Sequence, residues 1–403
     1  MKSVSSRPPS SPSAAASLEI RGARIATAGG VREGSLWVRE GLVAPSPPPD
    51  ALAVDLPGHL VFPGLINLHD HLTLNAIPNP ATFGARPNSY AWIEEFQPFF
   101  HEPSFAAARS RPERERAWHG GLKNLLAGTT VAVHHDPWCA AFDEPDFPLE
   151  VPRRVGWAHS LRLSGDYGPA VPAAFHATPR GAPFFIHLAE GTDEVAGSEL
   201  AELDVLGALG ANTVLVHGTG LSPEDVVRVV TRGAGVVWCP ASNLLTLGAT
   251  LVPRPLVDAG RLALGTDSRF TGSRDLLAEM KVAAAQSDLA PCEIVRLVTG
   301  DAARLLRRPD LGGLSPGQRA DFVVLPDPGG DPWEALLRAS RADLAAIVRG
   351  GRPRVVDPAL AKWIERSGVP FSAVRLDGRP KALASALLSV PGAVLLEPGL
   401  EIS

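Results

Sequence analysis

The stretch VFPGLINLHDH (residues 61–71) is an apolar run that ends in two histidines, His69 and His71, separated by one residue. In a β-strand, residues two apart point to the same face, so the two imidazoles should project side by side from one strand end. This spacing suits a single metal ion, because zinc and ferrous iron both accept neutral imidazole nitrogen and catalytic sites keep a position open for water. Taken alone, the pair fits a partly exposed loop equally well.

Length and composition exclude several classes of protein. A chain of 403 residues that is 45% hydrophobic is typical of a globular protein with one large barrel or several ordinary domains. A net charge of −5 gives no electrostatic reason to bind nucleic acid. No apolar run approaches the roughly 20 residues that a membrane span needs, so no membrane partner is expected.

The cysteine pattern bears on redox chemistry and location. The three cysteines, Cys139, Cys239 and Cys292, are far apart, and none belongs to a CxxC pair. Neither a disulfide framework nor a thiolate zinc site is therefore indicated. We expect a cytoplasmic protein.

Short strand-like segments occupy both ends of the chain. They fill residues 18–60 and return in residues 310–357, which predicts one small β-sandwich domain built from both ends. Residues 1–17, rich in Ser, Pro and Ala, are expected to be a disordered leader. The extension of residues 358–403 has no place in this scheme, and it is expected to pack as an extra element or to support a homo-oligomer.

Residues 61–309 alternate between strand-like and helical segments. After the opening run come TTVAVHHD (129–136), RRVGWAHSL (153–161), PFFIHLAE (183–190), NTVLVHG (212–218), GVVWCP (235–240) and RLALGTD (261–267). Alternation of this kind predicts a parallel sheet of the α/β class, and seven strands favour a (β/α)8 TIM-like barrel over an open sheet. The short, proline-containing stretch before PFFIHLAE predicts a missing or degenerate fourth strand, around AFHA (174–177).

Polar residues end several of these strands. His69 and His71 end the first strand, and the later strand ends carry His187, His217 and Asp267. The carboxyl ends of barrel strands are where such folds keep their active sites. Each residue alone could be a cap or a loop residue, but the whole set in this order indicates a metal site.

The motifs PGLINLHDH (63–71), HLAE (187–190), LVHG (215–218), CPASNLLTLG (239–248) and LGTDS (264–268) together resemble the amidohydrolase superfamily. The closest resemblance is to its mononuclear-metal branch of cytosine-deaminase and chlorohydrolase-like enzymes, and it extends from about Leu18 to Asp357. In the binuclear branch a carboxylated lysine lies on the fourth strand. Residues 137–186 contain no lysine, which favours one divalent metal ion, zinc or alternatively Fe(II).

The resemblance also implies roles for individual residues. The metal ligands would be His69, His71, His187 and Asp267, and Asp267 would also take a proton from the bound water. Glu190 would shuttle protons, and His217 would position the water or polarise the substrate.

Weaker candidates for substrate contact are His134, His135, His159, Trp92 and Asn243. One of the two adjacent histidines must face the interior, where it would touch the substrate or support the site from behind. Asn243 would donate to the substrate or form a turn. Trp92, with Phe96, Phe99 and Phe100, would form an aromatic lid or a hydrophobic cluster under a loop.

These observations predict a hydrolase that acts on a non-peptide carbon–nitrogen bond of a small molecule. Its foremost form is hydrolytic deamination of a heterocycle by a metal-bound hydroxide. Hydrolysis of a cyclic amide, a lactam or another C–X bond uses the same machinery and stays an alternative. A third reading is a catalytically silent barrel that binds a small ligand or serves as a scaffold, and the complete set of ligands argues against it.

Overall fold

A computed structural model describes residues 17–27 and 29–402. The predicted leader therefore lies, except for Ser17, outside the described residues. None of the helices described is long and apolar enough to cross a membrane.

The described part of the chain contains strands of three to ten residues. They are β1 Leu18–Thr27, β2 Gly30–Arg39, β3 Leu42–Ala44, β4 Leu52–Asp55, β5 His59–Pro63, β6 Leu65–Asp70, β7 Thr129–His134, β8 Gly156–Ala158, β9 Phe184–Leu188, β10 Thr213–His217, β11 Gly235–Trp238, β12 Leu262–Leu264, β13 Phe322–Pro326, β14 Ala346–Arg349, β15 Arg352–Val356, β16 Phe371–Leu376, β17 Arg379–Ala384 and β18 Leu400–Ile402.

The helices are concentrated in the middle of the chain. They are α1 Ser89–Phe96, α2 Pro103–Arg109, α3 Glu113–Leu126, α4 Val171–Ala177, α5 Glu194–Val205, α6 Pro223–Arg232, α7 Pro240–Leu247, α8 Arg254–Asp258, α9 Leu276–Ala285, α10 Pro291–Leu297, α11 Gly300–Leu305, α12 Pro332–Arg338, α13 Ala361–Arg366 and α14 Pro391–Val394. Short 3₁₀ helices span Gln97–His101, Ala140–Asp143, Arg341–Asp343, Pro358–Leu360 and Ser385–Leu388.

Strands from both ends of the chain form one sheet. Its order is β18-β16-β17-β15-β14-β13-β5-β1-β2-β3, with β4 beside β1. The sequence predicted a two-sheet sandwich, but the described strands form one continuous hydrogen-bonded ladder. Strand β5 joins its two parts, since it pairs with β1 on one edge and with β13 on the other. The segment after residue 357 contributes β16, β17 and β18 to the same sheet.

The opening run of residues 61–71 divides between two sheets. Its first part lies in β5 of the large sheet, and its second part is β6, which pairs with β7 in parallel. Gly64 separates the two strands, and a Cβ atom there would lie 2.5 Å from Oγ1 of Thr130. The chain therefore passes from one sheet to the other at a point where only glycine fits.

The remaining strands are parallel to one another. The order β12-β11-β10-β9-β8 forms a five-stranded sheet. The chain beyond β12 lies beside β6, since the Thr266 amide donates to the His69 carbonyl at 3.0 Å. A cluster of buried side chains joins six of these strands: Ile66, Val131, Phe185, Val216, Val237 and Ala263. The strands thus share one core, and neighbouring carboxyl ends lie at a common edge.

The prediction of a degenerate strand around AFHA (174–177) is wrong. Residues 174–177 end helix α4, and β8 pairs directly with β9 through Trp157 and Phe185. Pro172 lies in the first turn of α4, where proline is tolerated and its fixed φ favours a helix. The gap in the order of parallel strands lies instead between β7 and β8. There, Glu150 makes only an isolated parallel bridge to Val131.

Candidate metal centre and active site

Four buried side chains converge beyond the carboxyl ends of parallel strands. One possible ligand atom from each of His69, His187, His217 and Asp267 lies within 4.8 Å of the others. His71 adjoins this group, with Nε2 3.3 Å from Nε2 of His187 and 3.4 Å from Oδ1 of Asp267. The structure therefore brings all of the predicted metal ligands together and places His217 beside them.

The two histidines of the opening motif do not project in parallel. Strand β6 ends at Asp70, so His71 lies just beyond it. The rings of His69 and His71 are perpendicular, at an interplanar angle of 89° with centroids 4.9 Å apart. The spacing nevertheless brings both rings to one centre.

Two of the histidines are oriented by acceptors behind them. Nδ1 of His187 lies 2.8 Å from the carbonyl oxygen of His159, and Nδ1 of His71 lies 2.7 Å from Oδ2 of Asp136. Both acceptors require an N–H at Nδ1. Nε2 is then the atom that each ring presents to the centre.

His135 sets the tautomer of His69. Nε2 of His135 lies 2.9 Å from the carbonyl oxygen of Ala158 and must therefore donate, which leaves Nδ1 as an acceptor. That Nδ1 is 3.2 Å from Nδ1 of His69, so His69 donates there and its Nε2 carries a lone pair. His135 thus lies behind a predicted ligand rather than against a substrate.

Electrostatics divide the histidines into neutral and charged members. Burial lowers the pKa of His69 to about 4 and that of His187 well below its ordinary value. Burial acts against charge on His71, but the carboxylates of Asp136, Asp267 and Asp70 together outweigh it and raise the pKa of His71 to about 9. When no other cation is present, the charged imidazolium of His71 therefore offsets the negative charge of the neighbouring aspartates.

Asp267 is held as an ionised acceptor. Burial alone would raise its pKa, but the adjacent His69 and His71 hold the pKa well below its usual range. Its Oδ2 atom accepts from Ser242 Oγ at 2.7 Å and from Thr271 Oγ1 at 2.5 Å. Oδ1 is left to face the histidines, 3.2 Å from Nε2 of His69.

The backbone is unusual at three of these strand ends. Ala189, His217 and Asp267 have φ angles of 52°, 77° and 59°, in the left-handed region that non-glycine residues seldom adopt. Each such residue costs of order 1–3 kcal/mol unless its surroundings enforce it. The chain turns abruptly where each strand delivers its polar side chain.

Glu190 and His217 form a pair beside the ligands. Nδ1 of His217 lies 2.7 Å from Oδ1 of Asn243, whose amide nitrogen donates to Thr250 Oγ1 at 3.1 Å. The opposite nitrogen, Nε2, faces Oε1 of Glu190 at 3.4 Å. Burial raises the pKa of Glu190, which favours the protonated acid.

A buried polar network supports the ligand-bearing strand from below. Asp70 accepts from Lys123 at 3.1 Å, from Asn124 at 2.8 Å and from Asn75 at 2.8 Å. Helix α3 can pack this closely because residue 120 is a glycine. A Cβ atom there would lie 2.1 Å from the carbonyl oxygen of Leu72 and would collide with it. The sequence analysis missed this network, since nothing local marks a lysine in α3 as buried.

A cavity of about 570 Å³ opens beside the predicted metal ligands. Its polar floor and its apolar walls are formed by different segments. The floor contains His71, Asp136, His187, Glu190, His217 and Asp267; the walls contain Leu74, Trp92, Ile93, Phe96, Phe100 and Phe270; and further lining residues are His159, Leu163, Asp166 and Tyr167. The cavity volume is in the range of small-molecule sites.

The weaker predicted contacts separate into two groups. Trp92 and His159 line the cavity. His134 and Asn243 are buried elsewhere and do not line it: His134 accepts from the Leu72 amide at 3.2 Å, and Asn243 supports His217. Asp136, which follows the two adjacent histidines of β7, is a partner of His71 that the sequence did not reveal.

The aromatic residues that follow β6 both line the cavity and form a buried hydrophobic cluster. Trp92 and Phe96 line the cavity and also pack with Phe105 and Phe270 in one buried group. The rings of Trp92 and Phe96 are stacked, with centroids 4.9 Å apart. Phe99 lies on the outside and is 37% exposed.

Comparisons with known proteins indicate the class of enzyme. Residues 172–361 match the amidohydrolase family. The 8-oxoguanine deaminase of Pseudomonas aeruginosa is 27% identical, over 85% of this chain and 90% of that protein. The 5'-deoxyadenosine deaminase of Methanothermobacter thermautotrophicus is 25% identical, over 83% of this chain and 92% of that protein.

Solved structures share the fold. An adenosine deaminase from Xanthomonas campestris with bound zinc aligns with a TM-score of 0.69 at 21% identity, covering 88% of this chain and 99% of its own. Atrazine chlorohydrolase from Arthrobacter aurescens, complexed with zinc, aligns with a TM-score of 0.70 at 18% identity, covering 87% and 99%. These matches confirm the resemblance to the amidohydrolase superfamily and, within it, to its deaminases. The chain is a hydrolase of non-peptide carbon–nitrogen bonds, as the sequence predicted.

Proposed function

We propose that this protein is a zinc-dependent deaminase of a small aromatic heterocycle. The observation that carries the proposal is the convergence of Nε2 of His69, Nε2 of His187 and Oδ1 of Asp267 beside a cavity that His187 and Asp267 line. The deaminases among its relatives support this reaction. The chlorohydrolase supports hydrolysis of another C–X bond as the second candidate.

The side chains present fit a metal ion. Nε2 of His69 and Nε2 of His187 are 3.3 Å apart, and the hydrogen bonds behind both rings leave neither nitrogen with a proton. A metal cation would accept both facing lone pairs and bind the carboxylate at the same time, which supports this assignment. We assign His69, His71, His187 and Asp267 as ligands of one zinc ion, with Fe(II) as the alternative. Once bound, it would lower the pKa of a water molecule towards neutrality.

Three residues would handle the protons. Asp267, which is ionised, would take the proton of the attacking water. Glu190, whose pKa burial raises, would deliver a proton to the departing nitrogen. His217 is held by Asn243 and would orient Glu190 and the water from the side.

The cavity wall would select the substrate. Among the described residues that line it, none is Lys or Arg, whereas Asp136, Asp166, Glu190 and Asp267 are acidic. The aromatic side chains of Trp92 and its neighbours suit a flat ring with an apolar substituent. A phosphate or carboxylate on the substrate would meet repulsion without a compensating cation.

We also infer that the parallel strands close into a (β/α)8 barrel. The strands β6 to β12 would fill seven of the positions, and the bridge at Glu150 would stand in the eighth, between β7 and β8. Backbone hydrogen bonds from residues after β12 to β6 support this closure. A cytoplasmic location and a homo-oligomer stay predictions from the sequence.

The test is a screen of aminated aromatic heterocycles for ammonia release by the zinc-loaded protein. Release from at least one uncharged amine, lost on chelation and restored by zinc, is the expected result. Turnover of halogenated rings only would favour the second candidate. A protein that binds zinc stoichiometrically but turns over neither group would contradict both.

A further inference from the structure

We propose that Glu397 and Asp377, in the C-terminal extension, are positioning residues for the active site. Each holds an arginine of residues 268–275, here named the β12 loop because it follows that strand. The extension would thereby fix one wall of the substrate cavity. The proposal rests on the proposed function only for its kinetic test.

Glu397 makes the inner anchor. It is 3% exposed and accepts two hydrogen bonds from the guanidinium of Arg269, at 3.1 and 3.0 Å. It also accepts from Nε2 of His119 at 2.9 Å and from Arg341. The side chain of Arg269 is itself only 15% exposed, so the β12 loop is tied to the extension by a desolvated, bidentate pair.

Asp377 makes the outer anchor. Its Oδ1 accepts from Nη2 of Arg274 at 2.6 Å. Arg341 donates to the same carboxylate at 2.9 and 3.0 Å and contacts Glu397 as well. Arg341 therefore links the two carboxylates into one rigid unit that holds both ends of the β12 loop.

The β12 loop carries parts of the active site. Phe270 lines the cavity wall and Thr271 donates to Oδ2 of Asp267. The amide of Arg269 donates to Oδ1 of Asn75 at 2.8 Å, and Asn75 in turn donates to Asp70 of the ligand-bearing strand. A displacement of the Arg269 backbone would thus move an aromatic wall residue and loosen a partner of Asp267.

Removal of either anchor should increase the mobility of the β12 loop without unfolding the rest of the protein. The test compares Glu397→Gln and Arg274→Gln with Asp357→Asn, a control in which another carboxylate near the extension loses its pairing with Lys381. Hydrogen exchange measured by mass spectrometry should speed up at least 10-fold in residues 268–275 of the first two variants. Peptides from β16 and β17 should exchange as in the wild type.

Kinetics supply the second readout. For a substrate with a bulky apolar substituent, both variants should raise KM about 10-fold while zinc content stays unchanged. For the unsubstituted ring, which does not reach Phe270, KM should change less than 3-fold. Arg274 is 45% exposed, so its variant provides the result if the Glu397 variant does not fold.

Three outcomes would overturn the proposal. One is loop exchange in Arg274→Gln that matches the wild type. A second is an equal change in KM for both substrates. The third is the same pattern in Asp357→Asn, which would mean that general destabilisation is the cause. The exchange experiment does not depend on catalysis, so it separates a failure of this proposal from a failure of the proposed function.

Discussion

Nε2 of His187 lies 3.3 Å from Nε2 of His69, and neither nitrogen carries a hydrogen once the bonds to His159 and His135 are counted. Two lone pairs at this distance repel each other, and Asp267 adds a negative charge beside them. A metal cation among these atoms would relieve this repulsion. This relationship decides how the protein should respond to metal.

Zinc should stabilise the protein against heat. At a free concentration 100 times its dissociation constant, a ligand of the folded state adds about 2.7 kcal/mol to the free energy of unfolding. We expect zinc added to chelator-treated protein to raise Tm, measured by calorimetry. The shift should disappear in His187→Gln and persist in His176→Gln, a control at an exposed histidine of α4. An equal shift in both variants would show that zinc binds elsewhere.

Glu190→Gln should remove the proton donor without removing the metal. We expect kcat to fall by about 10²–10⁴-fold, the usual contribution of general acid–base catalysis. Zinc content, measured by elemental analysis, should be unchanged. Glu194→Gln alters an exposed glutamate in the first turn of α5 and should keep full activity. A Glu190→Gln enzyme with normal kcat would refute the assigned role.

Asp136→Asn should weaken metal binding. The carboxylate of Asp136 fixes the ring of His71, and loss of such a partner typically lowers metal affinity by about 10–100-fold. Competition with a chromogenic chelator measures the change. Asp143→Asn, which removes a surface carboxylate that pairs with Arg153, serves as the control. An unchanged zinc affinity in Asp136→Asn would mean that Asp136 does not orient a ligand.

Glu199 should make stability fall as the pH rises. Burial raises the pKa of Glu199 to about 7 in the folded protein, from an ordinary value of 4.5. The hydrogen bonds from Tyr90 and from the Ala189 amide favour the ionised carboxylate, but burial outweighs them, so folding favours the neutral acid. Its contribution is fully present below pH 4.5 and is lost as the pH rises through 7.

Glu199→Gln mimics the neutral acid at every pH. Relative to the wild type, its free energy of unfolding should improve by about 3 kcal/mol between pH 4.5 and pH 8. Denaturant titrations at both pH values measure this difference. Glu202→Gln, at a half-buried position of the same helix where the glutamate pairs with Arg162, should show no such improvement. Parallel pH profiles for Glu199→Gln and the wild type would contradict the assignment.

Substrate charge should decide turnover. For two aminated rings that differ only in a methyl ester against a carboxylate, we expect kcat/KM to be at least 10-fold lower for the carboxylate. The reason is the acidic lining of the cavity, in which no described residue is Lys or Arg. Asp166→Asn should narrow the gap, because it removes one of the negative charges that line the cavity. Equal kcat/KM values for both substrates would refute charge selection.

The convergence of the proposed ligands could be predicted because its signal is local. His69, His187 and Asp267 each follow a short apolar strand, and strand ends in a parallel sheet meet at one edge. No long-range information was needed to expect them together. Glu190, three residues after a predicted ligand, was predicted from the family resemblance instead, and its role stays a proposal.

The supporting residues could not be predicted, because their roles depend on distant contacts. Asp136 acquires its role only where β7 and β6 are neighbours, and Lys123 becomes buried only because Gly120 lets α3 approach Leu72. The expected strand around AFHA failed for a local reason: a proline in the first turn favoured a helix. The continuous sheet was missed because β5 was read as part of the barrel strand.

The large sheet can be completed only late in synthesis, because its strands come from both ends of the chain. A chain emerging from the ribosome has presented every proposed metal ligand once Asp267 is made. Glu397 follows only after the strands from β13 to β17, and β5 waits equally long for its partner β13. Pairings between such distant segments form slowly. A nascent chain should therefore contain all of its proposed metal ligands well before the residues that secure the cavity wall are made.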